Sequence, residues 1–117
     1  MGNFYTEKMH KRISRDLGKY TNGIHIYCST PVEGYVKVGQ TSWSPHKKAE
    51  LMQTYSPVPL LISWNAVSLL GDSIYHSFLK HLGFSGGGGG TEWYRETPQK
   101  ILEAIRSEFP GYFKLTS

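Results

Sequence analysis

Gly23-Ile24-His25-Ile26-Tyr27-Cys28-Ser29, then Pro31-Val32-Glu33-Gly34, then Tyr35-Val36-Lys37-Val38-Gly39 is the stretch on which the fold depends. Both outer runs alternate in polarity and are rich in β-branched and aromatic residues, the period-two pattern of strands. The short Pro/Gly segment between them reads as a turn, so the stretch predicts an antiparallel hairpin. A third strand is expected over Pro59-Leu60-Leu61-Ile62-Ser63-Trp64-Asn65-Ala66-Val67. Its proline falls at the start, where a missing ladder donor does least harm, and the strand should pair with the hairpin.

Helical spacing surrounds these strands. Met9, Ile13 and Leu17 recur every fourth residue in the segment that begins at Phe4, and Gly18 and Asn22-Gly23 close it. Ser44-Pro45 fits a helix start with serine as cap and proline in the first turn; Ala49, Met52 and Leu51 would face inward before Ser56-Pro57. Gly71-Asp72 opens another helix, with Ile74, Phe78, Leu79 and Leu82 at helical spacing and an end near Gly83. The last helix is expected from Pro98 to Phe109, burying Ile101, Leu102 and Ile105 and stopped by Pro110-Gly111. The fold class is therefore α/β of the α+β kind, a small three-stranded antiparallel sheet flanked by helices.

The 117 residues suit one domain. It divides into a basic N-terminal helix over 1–22, a core over 23–95 with a flexible glycine loop at 86–90, and a C-terminal helix over 97–110. Hydrophobic residues at 38% and charged residues at 19% exclude a chain disordered by composition. The most apolar run, Val58 to Leu70, is broken by Pro59, Ser63, Asn65 and Ser68, short of the ~18 apolar residues of a spanning helix. No membrane association is expected. A start without the apolar run of a secretion signal, together with the lone Cys28, leads to an expected cytoplasmic location. Ser85 and the five glycines after it form a flexible connector; a phosphate loop needs fixed N–H groups ahead of a helix and a following Lys-Ser/Thr.

Charge points to a polyanionic partner. Thirteen Lys and Arg against nine Asp and Glu leave +4, and five of the cations, Lys8, Lys11, Arg12, Arg15 and Lys19, fall in one helical segment beside a single acid, Asp16. Such a helix either contacts phosphates or is simply a solvated amphipathic face. Lys37, Lys47 and Lys48 form a second cluster. One cysteine and five histidines on separate segments give no tetrahedral zinc set.

The order of parts resembles the GIY-YIG endonuclease superfamily, specifically its compact phage and bacterial branch. Ile26-Tyr27 is similar to the end of the first name motif, and Gly34-Tyr35-Val36-Lys37-Val38-Gly39-Gln40-Thr41 to the second, in the form where lysine replaces its tyrosine. Pro45-His46-Lys47-Lys48-Ala49-Glu50-Leu51-Met52-Gln53-Thr54 resembles the arginine helix. Asp72-Ser73-Ile74-Tyr75-His76 resembles the glutamate-helix motif, and Glu92-Trp93-Tyr94 the closing Glu-Trp-aromatic signature. The match runs from Gly23 to Arg95.

The resemblance implies a divalent-metal-dependent nuclease, with Mg²⁺ or Mn²⁺, hydrolysing phosphodiester bonds, DNA favoured. Carried over, Tyr27 is the phenol that activates or orients water, Lys37 lies beside the phosphate, and Lys48, with Lys47 as neighbouring candidate, takes the arginine's place. Asp72 is the metal ligand and His76 contacts water or phosphate; Lys8, Arg12, Arg15 and Lys47 would bind the nucleic acid. Two positions depart from the pattern. Lysine at 48 lacks the planar fork that grips two phosphate oxygens, and aspartate at 72 is one methylene shorter than glutamate. Both departures support a second reading: a degraded nuclease fold that binds nucleic acid or a protein partner as a phage or mobile-element regulator or inhibitor. Taken singly, Tyr27 also reads as a half-buried strand aromatic, Asp72 as a helix cap, His76 as an ordinary partly buried histidine, Lys47-Lys48 as a solvated face, and Trp93-Tyr94 as core with Glu92 bonded to backbone.

Overall fold

Tyr27, Gly39 and Asn65 lie side by side on three neighbouring strands, and that register organises the molecule. A computed structural model describes residues 3–32, 34–41, 62–86 and 92–116. The helix predicted after Ser44 and the glycines from 87 to 90 lie outside the described residues, as do Lys47 and Lys48.

The hairpin forms as its alternation predicts, β1 (Ile24–Val32) against β2 (Tyr35–Thr41), with an irregularity in register between Ser29 and Val32. On its other side β1 pairs antiparallel with β3 (Ile62–Ser68). The sheet is wider than the expected three strands. The two-residue β4 (Trp93–Tyr94) adds to β2, and β5 (Phe113–Leu115) adds to β3, giving five antiparallel strands in the order β4-β2-β1-β3-β5. Runs of two and three residues carry too little alternation to read as strands; docking on a neighbour's free edge creates them.

Three described helices sit on one face of this sheet. They are α1 (Glu7–Lys19), α2 (Asp72–His81) and α3 (Pro98–Glu108). Thr6 caps α1 by accepting from the Met9 N–H, and Thr97 with Pro98 starts α3 in the same way. Met9 and Ile13, Ile74, Phe78 and Leu79, and Ile101 and Ile105 are the inward stripes, meeting Ile26, Cys28, Val38 and Ala66 of the sheet. Complete burial of each such side chain contributes about 1.5–3 kcal/mol. Leu82 departs from the expected stripe: it is half exposed, because the helix ends at His81 and turns away at Gly83.

Period two sends Tyr27, Ser29, Lys37 and Asn65 to the opposite face. Tyr27 is accordingly absent from the helix-facing core although only 2% of it is exposed. No helix among the described residues is long and apolar enough to cross a membrane.

Candidate metal and phosphate site at the sheet edge

The site forms where β4 stops. β4 covers only Val36 and Lys37 of β2, so the outer edge of β2 needs other partners from Val38 onward. The Val38 N–H donates to the Glu92 carbonyl at 3.0 Å, and the Val38 carbonyl accepts from His76 Nε2 at 3.1 Å. A helical side chain thus finishes a strand ladder.

The first turn of α2 comes to the same edge. Gly71 is the N-cap and has no side chain to offer, so the orphan N–H groups of the helix start take acceptors from elsewhere. Asp16 Oδ2 of α1 accepts from the Gly71 N–H at 2.8 Å, and Gln40 Oε1 of β2 accepts from the Asp72 N–H at 2.7 Å. Asp72 is therefore the first helical residue and not the cap that its position suggests. Its carboxylate instead lies 3.6 Å from His76 Nε2, one turn along the helix. Asp72, His76 and Glu92 each offer a ligand atom, and these atoms lie within 4.8 Å of one another.

His76 lines the edge and has both ring nitrogens within hydrogen-bond reach of the protein. In the neutral ring Nε2 carries the proton, because the Val38 carbonyl only accepts; Nδ1 then accepts from the Tyr94 hydroxyl at 2.5 Å. With both nitrogens engaged, the free donor atoms are the carboxylate oxygens of Asp72 and Glu92. One or two carboxylates beside open solvent fit a hard cation such as Mg²⁺ or Mn²⁺, which keeps several waters. Lys37 reaches the same centre, with its ammonium 3.9 Å from Glu92 Oε2.

Tyr27 approaches from the other face. A Cβ on Gly39 would stand 2.7 Å from the Tyr27 hydroxyl oxygen and 2.8 Å from Cζ, so the ring lies against a residue where any side chain would displace it. Burial, followed by the charges of Glu92 and Asp72, pushes the phenol up to about 12. It is a neutral O–H group at physiological pH, and its sensitivity to both carboxylates places it in their field. The same causes push Tyr94 upward.

A cleft of about 350 Å³ opens over Asp72, His76 and Glu92, walled by Arg12, Ser73, Ser77 and Lys80. Beside it a second, of about 260 Å³, is lined by Lys8, Lys11, Arg12, Arg15, Asp16 and Ser73. Of the expected site residues, Asp72, His76, Lys37 and Arg12 gather at the edge with Tyr27 beneath, and Lys8 and Arg15 line the adjoining cleft. Glu92 was expected only to bond backbone, yet its side chain joins the cluster. The usable signal was the alternation of Glu92-Trp93-Tyr94, which turns Glu92 to the same side as the buried Tyr94. Gln40 gave no comparable signal, since its role exists only against α2.

Scanned against models of protein families, the chain matches none, and neither a curated protein nor a solved structure matches it.

Proposed function

We propose that this protein is a divalent-metal-dependent endonuclease of GIY-YIG type acting on phosphodiester bonds in DNA. The observation that carries the reading is the convergence of Asp72 and Glu92 at the open edge of β2, within the field that reaches Tyr27 and next to the cations of α1. A divalent ion held by the two carboxylates would supply positive charge against the phosphoryl oxygens. Tyr27, neutral and buried, would donate a hydrogen bond and so orient a water; its raised pKa keeps it protonated at neutral pH, so it is not the base. Lys37 offsets negative charge on Glu92 and on the phosphate. His76 holds α2 against β2 through the Val38 carbonyl and acts as a positioning residue. In the reaction the water oxygen bonds to phosphorus and gives up a proton to bulk water, the P–O bond to the leaving oxygen breaks, and that oxygen takes a proton from bulk water, for a net addition of one water across the bond. Lys48 and Lys47, which lie outside the described residues, are candidate phosphate contacts on the resemblance alone.

The test is nicking of supercoiled plasmid with Mg²⁺ or Mn²⁺. Wild type should nick, and Asp72→Ala should fall by roughly a hundredfold or more, as when a group stabilising transition-state charge is removed. Tyr27→Phe should fall less. Intact plasmid at every metal concentration would refute cleavage.

One observation favours the second reading. Lys37 already pairs with Glu92, so the acid pair is partly neutralised by the protein's own amine. Under that reading the chain binds nucleic acid or a protein as a regulator, and salt-sensitive DNA binding without nicking would identify it.

A further inference from the structure

We propose that the basic face of α1 is a channel carrying a nucleic-acid backbone to the Asp72–Glu92 pair, with Arg12 gripping the phosphate at the junction; this rests on the nuclease reading for the identity of the strand. Lys8, Lys11, Arg12 and Arg15 recur at spacings of three and four and so share one helix face. The seven helical steps from Lys8 to Arg15 rise about 10 Å, roughly three nucleotide steps of one DNA strand. Their cleft and the one over the carboxylates share two lining residues, Arg12 and Ser73.

Competing anions hold little of this path among the described residues: Glu7 lies 3.8 Å from the Lys11 ammonium in an exposed pair that solvent screens, and Asp16, the acid lining the cleft, has Oδ2 committed to the Gly71 N–H. Arg12 makes no ion pair among the described residues. Its guanidinium is held instead by neutral oxygens: Ser77 Oγ at 3.1 Å, the Ser73 carbonyl at 3.3 Å and Ser73 Oγ at 3.4 Å. Five N–H donors exceed these three acceptors, leaving a fixed, fully charged fork with donors to spare. It stands beside two carboxylates that would repel a phosphate without a cation between them. A phosphate gripped there touches Arg12 on one side and an ion at Asp72 on the other, so the two contributions to binding must be coupled.

The test is fluorescence-anisotropy titration of a labelled 20-base-pair duplex over a salt series, with and without Ca²⁺. Wild type should bind more tightly with Ca²⁺; Arg12→Gln should weaken binding with Ca²⁺ by roughly tenfold and abolish that strengthening. Its loss should be non-additive with that of Asp72→Ala. Lys8→Gln with Arg15→Gln should lower the log–log salt slope by about two. Ser73→Ala with Ser77→Ala frees the fork while keeping the charge, and should reproduce the lost coupling if Arg12→Gln does not fold. Arg12→Gln with wild-type affinity and slope, or additive losses in the cycle, would overturn the channel; a lowered melting temperature alone would make Arg12 a tie between α1 and α2. Coupled binding by a wild type that leaves DNA uncut with Mn²⁺ would uphold the channel and refute cleavage.

Discussion

The two ends of α2 are built differently. At the C-terminus the solution is local. Gly83 takes φ +96°, its N–H donates to the Lys80 carbonyl, and the Phe84 N–H reaches back to the Leu79 carbonyl, both at 3.0 Å. This is a Schellman closure, with Phe78 and Leu79 buried beneath it. At the N-terminus the acceptors are borrowed, Asp16 from α1 and Gln40 from β2, while His76 is spent on the β2 edge. One end stabilises itself. The other is held only when three elements meet, and that borrowing leaves the Asp72 carboxylate available to a ligand.

Phe78→Ala gives the widest separation between the ends. It removes a ring in edge contact with Phe4 and Phe109 and should cost about 3–5 kcal/mol in urea unfolding. A loss under ~1 kcal/mol would mean that this half does not carry the core. Gly39→Ala comes next, on the site side. Its Cβ would press on the Tyr27 ring, costing about 1–3 kcal/mol and lowering nicking along with stability. Unchanged nicking in a well-folded variant would remove Tyr27 from the chemistry.

Gly83→Ala and Gln40→Ala form a matched pair. The first meets open space but keeps a left-handed backbone, costing about 1–2 kcal/mol without affecting nicking. The second removes a borrowed cap, costing about 1 kcal/mol and disturbing nicking. The double variant should be additive in denaturant melts, since the sites are far apart and share no partner. Coupling between them would erase the distinction between the ends.

At neutral pH the smallest effect is that of Tyr27 ionisation, and it grows with alkalinity. The folded phenol titrates at about 12 against 10.0 for the ordinary group, so its contribution is fully present below pH 10 and is lost as pH rises toward 12. Unfolding free energy measured across pH 8 to 11.5 should decline, and Tyr27→Phe should flatten part of that decline. Cys28, on the other face of β1 and pushed from 9.0 to about 12 by burial, adds a decline of the same sign that begins near pH 9.

Local chemistry was legible in the chain. The hairpin alternation, the Thr97-Pro98 start and the glycine after α2 each fix a conformation within a few residues, and the structure follows them. Asp72 and His76, four residues apart, were legible as one helix face, and α1 as a basic one. Less local features were not. β4 and β5 exist because β2 and β3 present free edges. Leu82 fits the apolar period yet lies exposed, because the helix ends one residue before it.

By itself, then, the sequence determined the hairpin, the helix stripes and the cationic face, all set by interactions between residues near one another in the chain. The tertiary structure alone decided that Glu92 joins Asp72, that His76 completes the β2 edge, and that Asp16 and Gln40 cap α2. Those partners are separated by 20 to 55 residues, and no spacing rule reaches that far. Only the closing of the sheet edge against α1 and α2 brings them within bonding distance.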